Sequence, residues 1–273
     1  RTTLAGRRAC GYRLVIKGEG EMNEDTHERR IVDQFTRWAE RFAQLPIHAE
    51  AGAMARTIHA CALRPGVEAL DVACGPGILA CAIAHQALHV TGVDITPAMI
   101  TQAQARQRAE GLTNLAWRIG DAVALPFEDD VFDLVTTRYS LHHMKDPVSV
   151  LGEMKRVCRP AGRIVVIDAT PSPATRVAYD EMERLRDPSH TCALDLEQIR
   201  EIGRDFGLKE VVIDGYRLEA QLDALADASN LPALTAMFDS DIDAGRDRIG
   251  IGAWRSSTGI RFYFPISIVA WEI

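Results

Sequence analysis

Between Val67 and Asp168, short runs that are nearly all apolar alternate with stretches of helical texture. Strands are expected at Val67–Ala73, Leu88–Val93, Leu115–Ile119, Phe132–Thr136 and Arg163–Asp168, and helices at Ile78–Gln86, Pro97–Glu110 and Pro147–Cys158. A strand with one wet face alternates apolar with polar residues, whereas a strand that is apolar throughout is buried on both faces. A parallel sheet covered by its own crossover helices buries strands in that way. The rhythm therefore calls for a doubly wound α/β sheet. The length allows it: a chain of 273 residues, 47% hydrophobic and 25% charged, buries roughly three quarters of its unfolded surface and supports one large core with a cap.

The longest uncharged run, Val72 to Val93, covers 22 residues, a membrane span by length. Only 14 of them are apolar, and the run contains Gly75, Pro76, Gly77, His85, Gln86, His89 and Gly92, which a lipid-facing helix tolerates poorly. It reads instead as the end of one buried strand, a glycine turn, a helix and the next strand, bracketed by Asp71 and Asp94. His85 and His89 are four apart, but they fall on a helix end and a strand start, so no metal is expected there. Six scattered cysteines without a Cys-x-x-Cys pair suit a reducing compartment, and no signal peptide is visible, so a cytoplasmic location is expected.

On either side the texture differs. Ile31, Phe35, Trp38, Phe42 and Leu45 form one apolar stripe of a helix over Glu24–Gln44, and a second helix is expected at Ile47–Ala62 before the breaker Arg64-Pro65-Gly66. Residues 1–21 carry a net charge of +3, and two readings stand: a translated leader ahead of Met22, or a disordered basic tail. Beyond Asp168, helices are expected at Ala174–Leu185 and Leu196–Phe206 and strands at Leu208–Leu218 and Arg261–Trp271. The stretch between those strands, 219–259, is too long for an ordinary connection and is expected to cover a substrate.

Two features mark a ligand crevice. The first strand ends Leu70-Asp71-Val72-Ala73-Cys74-Gly75-Pro76-Gly77, where glycines let the backbone turn and approach a ligand beside a helix start. The second ends Gly92-Val93-Asp94, an acid placed to accept ribose hydroxyls. A nicotinamide-type Gly-x-Gly-x-x-Gly is not formed, since position 80 is Ala. With Gly120-Asp121-Ala122, Leu125-Pro126-Phe127, Phe132-Asp133-Leu134-Val135 and Arg156-Val157-Cys158-Arg159-Pro160-Ala161-Gly162 following in order, the chain resembles the class I S-adenosylmethionine-dependent methyltransferases, in the branch of the ubiquinone and menaquinone C-methyltransferases. The match covers roughly residues 30–170. It is specific for fold and cofactor and much less so for substrate.

The resemblance implies a Rossmann-like sheet, mostly parallel with an antiparallel C-terminal strand, in a single domain over 22–273: lid helices at 22–65, a cofactor core at 66–170 and a cap at 219–259. It implies S-adenosylmethionine as cofactor. Asp71 and the backbone of Ala73, Cys74, Gly75 and Gly77 would hold the methionine end; Asp94 the ribose; Ile95 and Met99 the adenine face; Asp121 and the Ala122 amide its edge. Arg138 would face the methionine moiety. Phe42 stands where the family often carries a tyrosine, and Ala73 where a glycine is common. The plainer readings are helix caps for Asp71 and Asp94, core for Met99 and small apolar filling for Cys74.

Catalytic candidates are His142 and Tyr139. His142 follows the fourth strand at the carboxyl edge, where a proton acceptor would act; a pocket-lining role fits it equally, and Tyr139 stands open between site and structure. Activated methyl transfer needs alignment and desolvation more than elaborate chemistry. The aromatic residues Phe35, Trp38, Phe42, Phe238 and Trp254 of the lid and cap point to an apolar or aromatic small-molecule acceptor. Nucleic acid is not expected as a partner, because the chain from Met22 is acidic and Thr137-Arg138-Tyr139-Ser140 stands where base-methylating enzymes carry Asn/Asp-Pro-Pro-Tyr. Oligomeric state is left open. A cofactor-binding protein of this fold that does not methylate, cyclase-like or regulatory, is the alternative.

Overall fold

The computed structural model describes residues 21–273, so the expected leader or tail lies outside the described residues apart from Glu21, where the first helix begins. Helix α1 (Glu21–Gln44) is the helix expected as a lid; along its stripe Phe35 and Phe42 meet edge to face, ring centroids 5.9 Å apart. The second expected helix is split into a 3₁₀ turn at Pro46–Ala49 and α2 (Ala51–Cys61). The break comes at Glu50, whose side chain turns back to accept from the amides of Gly52 and Ala53.

Next come β1 (Glu68–Val72), α3 (Ile78–Ala84), β2 (His89–Asp94), α4 (Pro97–Ala109), β3 (Leu115–Ile119), β4 (Phe132–Arg138), α5 (Pro147–Val157) and β5 (Cys158–Ala169). The chain continues through α6 (Arg176–Arg186), α7 (Leu196–Asp205), β6 (Lys209–Gln221), α8 (Leu222–Leu225), α9 (Leu231–Asp243), β7 (Trp254–Ser256) and β8 (Gly259–Glu272). The sheet order is β3-β2-β1-β4-β5-β8-β6, with β7 on β8. Strands β1 to β5 are parallel, and β8 runs antiparallel between β5 and β6. Chain order reverses between β1 and β4, and a crevice at the carboxyl ends of strands is expected at such a reversal.

The strand pleat sorts the core into two layers. Leu70, Val72, Val135, Ile164 and Val166 face one layer with α5 and α7; Ala69, Leu134, Val165 and Ile167 face the other with α3, α6 and α9. Beyond the end of β5, β6 and β8 continue as a paired arm from Arg217–Pro265 to Gln221–Arg261. Part of the expected cap is therefore strand. Its helix α9 packs inward with Leu234 and Phe238, as does the loop after it with Ile249 and Ile251, all four buried. Helix α1 is tied to both sides of the molecule. Arg106 of α4 donates to the carbonyls of Ala43 and Pro76, and Arg41 donates to the carbonyls of Asp223, Ala224 and Ala226 at the end of α8.

Candidate active site

A cavity of about 450 Å³ opens at the β1/β4 reversal, within the roughly 300–1,000 Å³ usual for small-molecule sites. Its floor is the turn after β1. Ala73 has φ +53° and Gly75 φ +51°, and a side chain at Gly75 would meet nothing within 4 Å, so the backbone itself faces open space there. Asp94, at the end of β2, accepts from the Gly75 amide at 2.8 Å and from the Thr96 amide at 2.8 Å, which fixes its carboxylate against the turn. Burial pushes the Asp94 carboxyl up, and these two amide bonds hold it back only in part. At the end of β1, Asp71 accepts from Thr136 Oγ1 at 2.8 Å; burial pushes it up to about 7.

Ile95, Met99, Asp121, Ala122, Arg138 and Tyr139 line the same cavity, together with Asp71, Ala73, Cys74, Gly75 and Asp94. Burial drives the Cys74 thiol well up, so it is no nucleophile; Cys61, Cys81 and Cys158 are likewise buried free thiols. Helix α1 closes the cavity with Ile31, Phe35 and Phe42. It is pinned there by a 2.9 Å hydrogen bond between His27 Nε2 and the His143 carbonyl.

Known proteins similar to this chain are methyltransferases or share their fold. A model described as a methyltransferase domain matches residues 70–166. The chain is 29% identical, over 73% of its length and 79% of the relative's, to the uncharacterised methyltransferase YcgJ of Bacillus subtilis. The YcgJ crystal structure superposes with a TM-score of 0.73 at 25% identity, covering 81% of this chain and 97% of that one. It is also 37% identical to the ubiquinone/menaquinone C-methyltransferase UbiE of Roseobacter denitrificans over 43% of its own length, spanning about half (49%) of that relative. The crystal structure of the [4+2]-cyclase SpnF shares the fold, with a TM-score of 0.58 at 20% identity over 81% of this chain and 80% of that one. Residues 70–166 thus match a methyltransferase domain, and the chain around them is similar in sequence and fold to methyltransferases.

Two expected site residues stand elsewhere. Gly77 is not among the residues lining the cavity: it has φ +73° at the start of α3, and a Cβ there would come within 2.6 Å of the Trp117 ring. Its glycine serves close packing, and Gly92 serves the other side of the same ring, where a Cβ would lie 2.5 Å away. His142 lines a second cavity of about 60 Å³, which has apolar walls from Phe42, Ile47, Leu218, Leu225, Phe264 and Ile266. Tyr139, His143 and Phe42 line both cavities. Tyr139 has φ +56°, rare for a bulky residue; its amide donates to Ile167, its hydroxyl pairs with that of Tyr216 at 2.7 Å, and Arg138 lies over its ring at 4.9 Å.

The aromatic stock of lid and cap divides on inspection. Phe35 and Phe42 reach the cavities, but Phe238 is buried against Phe262 and Trp254 stacks on Tyr263, so neither lines them. Sequence reasoning missed the polar end of the second cavity. His142 Nδ1 pairs with Asp168 at 2.6 Å; burial alone would lower the His142 pKa, but the Asp168 carboxylate outweighs it and the net shift is upward. Glu183 is held by Arg186 at 2.5 and 3.0 Å, and His143 is driven down by burial and by its neighbour His142. Asp168 had a signal, being an acid at a strand's carboxyl end; Glu183 and Arg186 look like ordinary surface charges on a helix.

Proposed function

We propose that this chain moves a methyl group from S-adenosylmethionine to a small molecule held in the second cavity. The observation that carries this reading is the shared wall: Phe42, Tyr139 and His143 line both cavities, so a donor in one and an acceptor in the other would meet at these residues. Bound S-adenosylmethionine supplies an activated methyl on a sulfonium. Asp71 and the turn Ala73–Gly75 would hold its amino-acid end, Asp94 the ribose, Ile95 and Met99 the adenine face, and Asp121 with the Ala122 amide the adenine edge. The buried carboxyls of Asp71 and Asp94 suit a cationic, hydroxyl-bearing ligand that restores the partners burial has removed. Helix α1 would exclude water above them.

The second cavity joins apolar walls to a charged end made by His142, Glu183, Arg186 and Asp187. That combination supports an acceptor with an apolar body and one polar group, rather than a wholly apolar one. With Nδ1 engaged by Asp168, His142 keeps its other nitrogen for positioning that group. The net charge of -7 argues against a nucleic-acid acceptor. The experiment is incubation of cell extracts with methyl-labelled cofactor and identification of the labelled product by mass. The fold also serves a cyclase, which sustains a non-methylating reading. That reading predicts turnover unchanged when S-adenosylhomocysteine replaces the methyl donor, and no labelled product.

A further inference from the structure

Three side chains from separate segments meet beside the second cavity. His142 stands in the 3₁₀ turn after β4, Glu183 on α6 and His190 in the loop beyond it. One potential ligand atom from each lies within 4.8 Å of the other two. Their side chains are 11%, 2% and 0% exposed respectively. Each imidazole is anchored at one nitrogen by a carboxylate: His142 Nδ1 by Asp168 at 2.6 Å and His190 Nε2 by Asp180 at 2.7 Å. The nitrogens left to ligate are Nε2 of His142 and Nδ1 of His190. Among the described residues, His190 Nδ1 is buried without any hydrogen-bond partner.

A buried nitrogen left without a partner destabilises the fold, and a metal ion would satisfy it. A carboxylate behind a histidine fixes the tautomer and raises the basicity of a metal-bound imidazole. The surrounding charge agrees with a cation: Asp168, Asp180, Glu183 and Asp187 cluster here against Arg186 and a distant Arg184, 3.9 Å from Asp180. Arg186 holds both oxygens of Glu183, each of which keeps a further lone pair for a ligand bond.

We propose that His142, Glu183 and His190 bind a divalent first-row transition-metal ion, the two-imidazole, one-carboxylate set favouring Zn²⁺ or Fe²⁺. Tetrahedral ligands at about 2.1 Å from an ion lie about 3.4 Å apart, so binding draws the three side chains together by small rotations about their anchored ends. Such a set leaves at least one coordination position, and because His142 and Glu183 line the second cavity, an acceptor's oxygen can reach it. The site stands whether or not methyl is transferred; its role rests on the methyl-transfer reading. In that role an acceptor hydroxyl binds the ion and releases its proton to solvent. The oxygen, or a carbon conjugated to it, forms the new bond to methyl, and the C–S electron pair returns to sulfur.

The test titrates chelator-treated protein with Co²⁺, followed by visible absorption, with competition by Zn²⁺. The rise in Tm with S-adenosylhomocysteine is measured on the same samples. The expected result is about one Co²⁺ per chain with d–d bands of a low-coordinate site. H190Q and E183Q should lose the bands, and D180N should weaken binding about 10–100-fold, each variant keeping the S-adenosylhomocysteine shift as proof of folding. No stoichiometric binding of Co²⁺ or Zn²⁺ by the unaltered chain overturns the site, as does binding that survives in both H190Q and D180N. Co²⁺ bands without any S-adenosylhomocysteine shift would uphold the metal site and overturn the cofactor assignments instead.

Discussion

At Asp71, a single carboxyl carries a measurable consequence of burial. Its pKa is raised to about 7 in the folded chain, against about 3.9 when unfolded. A raised folded-state value means the folded chain holds the extra proton, so this contribution to stability is complete below pH about 4 and is lost as pH rises through about 7, amounting to roughly 4 kcal/mol at most. Asp94 is shifted in the same direction. In cofactor-free protein the Asp71 contribution should therefore be lost between pH 4 and 7, while His143, lowered to about 3 by burial, acts in the opposite sense there. Asp71→Asn should remove the Asp71 part, so that stability falls less, or rises more, with pH than in the unaltered chain; urea titrations of both proteins across pH check it, identical slopes placing the effect elsewhere. A cationic cofactor favours the ionised carboxyl, so its affinity should rise with pH through the same window, read by calorimetry. Asp94→Ala should weaken cofactor binding severely, and equal affinity would refute the ribose assignment. Ala73 was legible as a small residue in a turn, but its φ of +53° was not. Alanine is strained there, so Ala73→Gly should gain up to about 1 kcal/mol, seen as a higher Tm.

Elements were legible where one physical cause acts along the chain. Strands β1, β2, β4 and β5 are largely buried, and their apolar runs located them; β3 is the edge strand, with Arg118 and Ile119 exposed, and β5 begins at Cys158, five residues before the apolar run that marked it. The exceptions are instructive. β6 and β8 extend past Leu218 and start before Arg261 because each pairs with the other beyond the sheet, which local apolar content does not encode. α8 and β7 are too short, at 4 and 3 residues, to have a period of their own. Gly77 looks like a ligand-turn glycine and Gly92 like a plain strand residue, yet both are set by a third element, β3, whose Trp117 ring lies where either would carry a Cβ. Gly92→Ala should therefore cost about 1–3 kcal/mol by overpacking, and the cost should shrink when Trp117 is replaced by leucine. A cost equal in both backgrounds, measured by denaturant unfolding, would show that the ring is not the cause.

For the whole molecule, the consequence of this topology is that the α1 lid, the turn after β4 and the β6–β8 arm converge on one pair of cavities. Leu225 of α8 lines the second cavity but not the first. Leu225→Trp should fill it, abolishing methylation of the acceptor while S-adenosylhomocysteine still raises the Tm. Undiminished turnover would move the acceptor elsewhere. Among the described residues, no helix is long and apolar enough to cross a membrane, which accords with reading the uncharged run from Val72 to Val93 as strand, turn, helix and strand.

The sequence by itself determined the parallel sheet, the resemblance to methyltransferases and the place of the candidate crevice at the strand ends. Strand burial writes itself as continuous apolar runs, and the candidate cofactor contacts sit at strand ends and turns, each within a few neighbouring residues. Only the tertiary structure decided the acceptor side. His142, Asp168, Glu183 and His190 come from a turn, a strand end, a helix and a loop, and each alone is an ordinary polar residue. Their chemistry arises from mutual distance and shared burial, which folding supplies and no local pattern records.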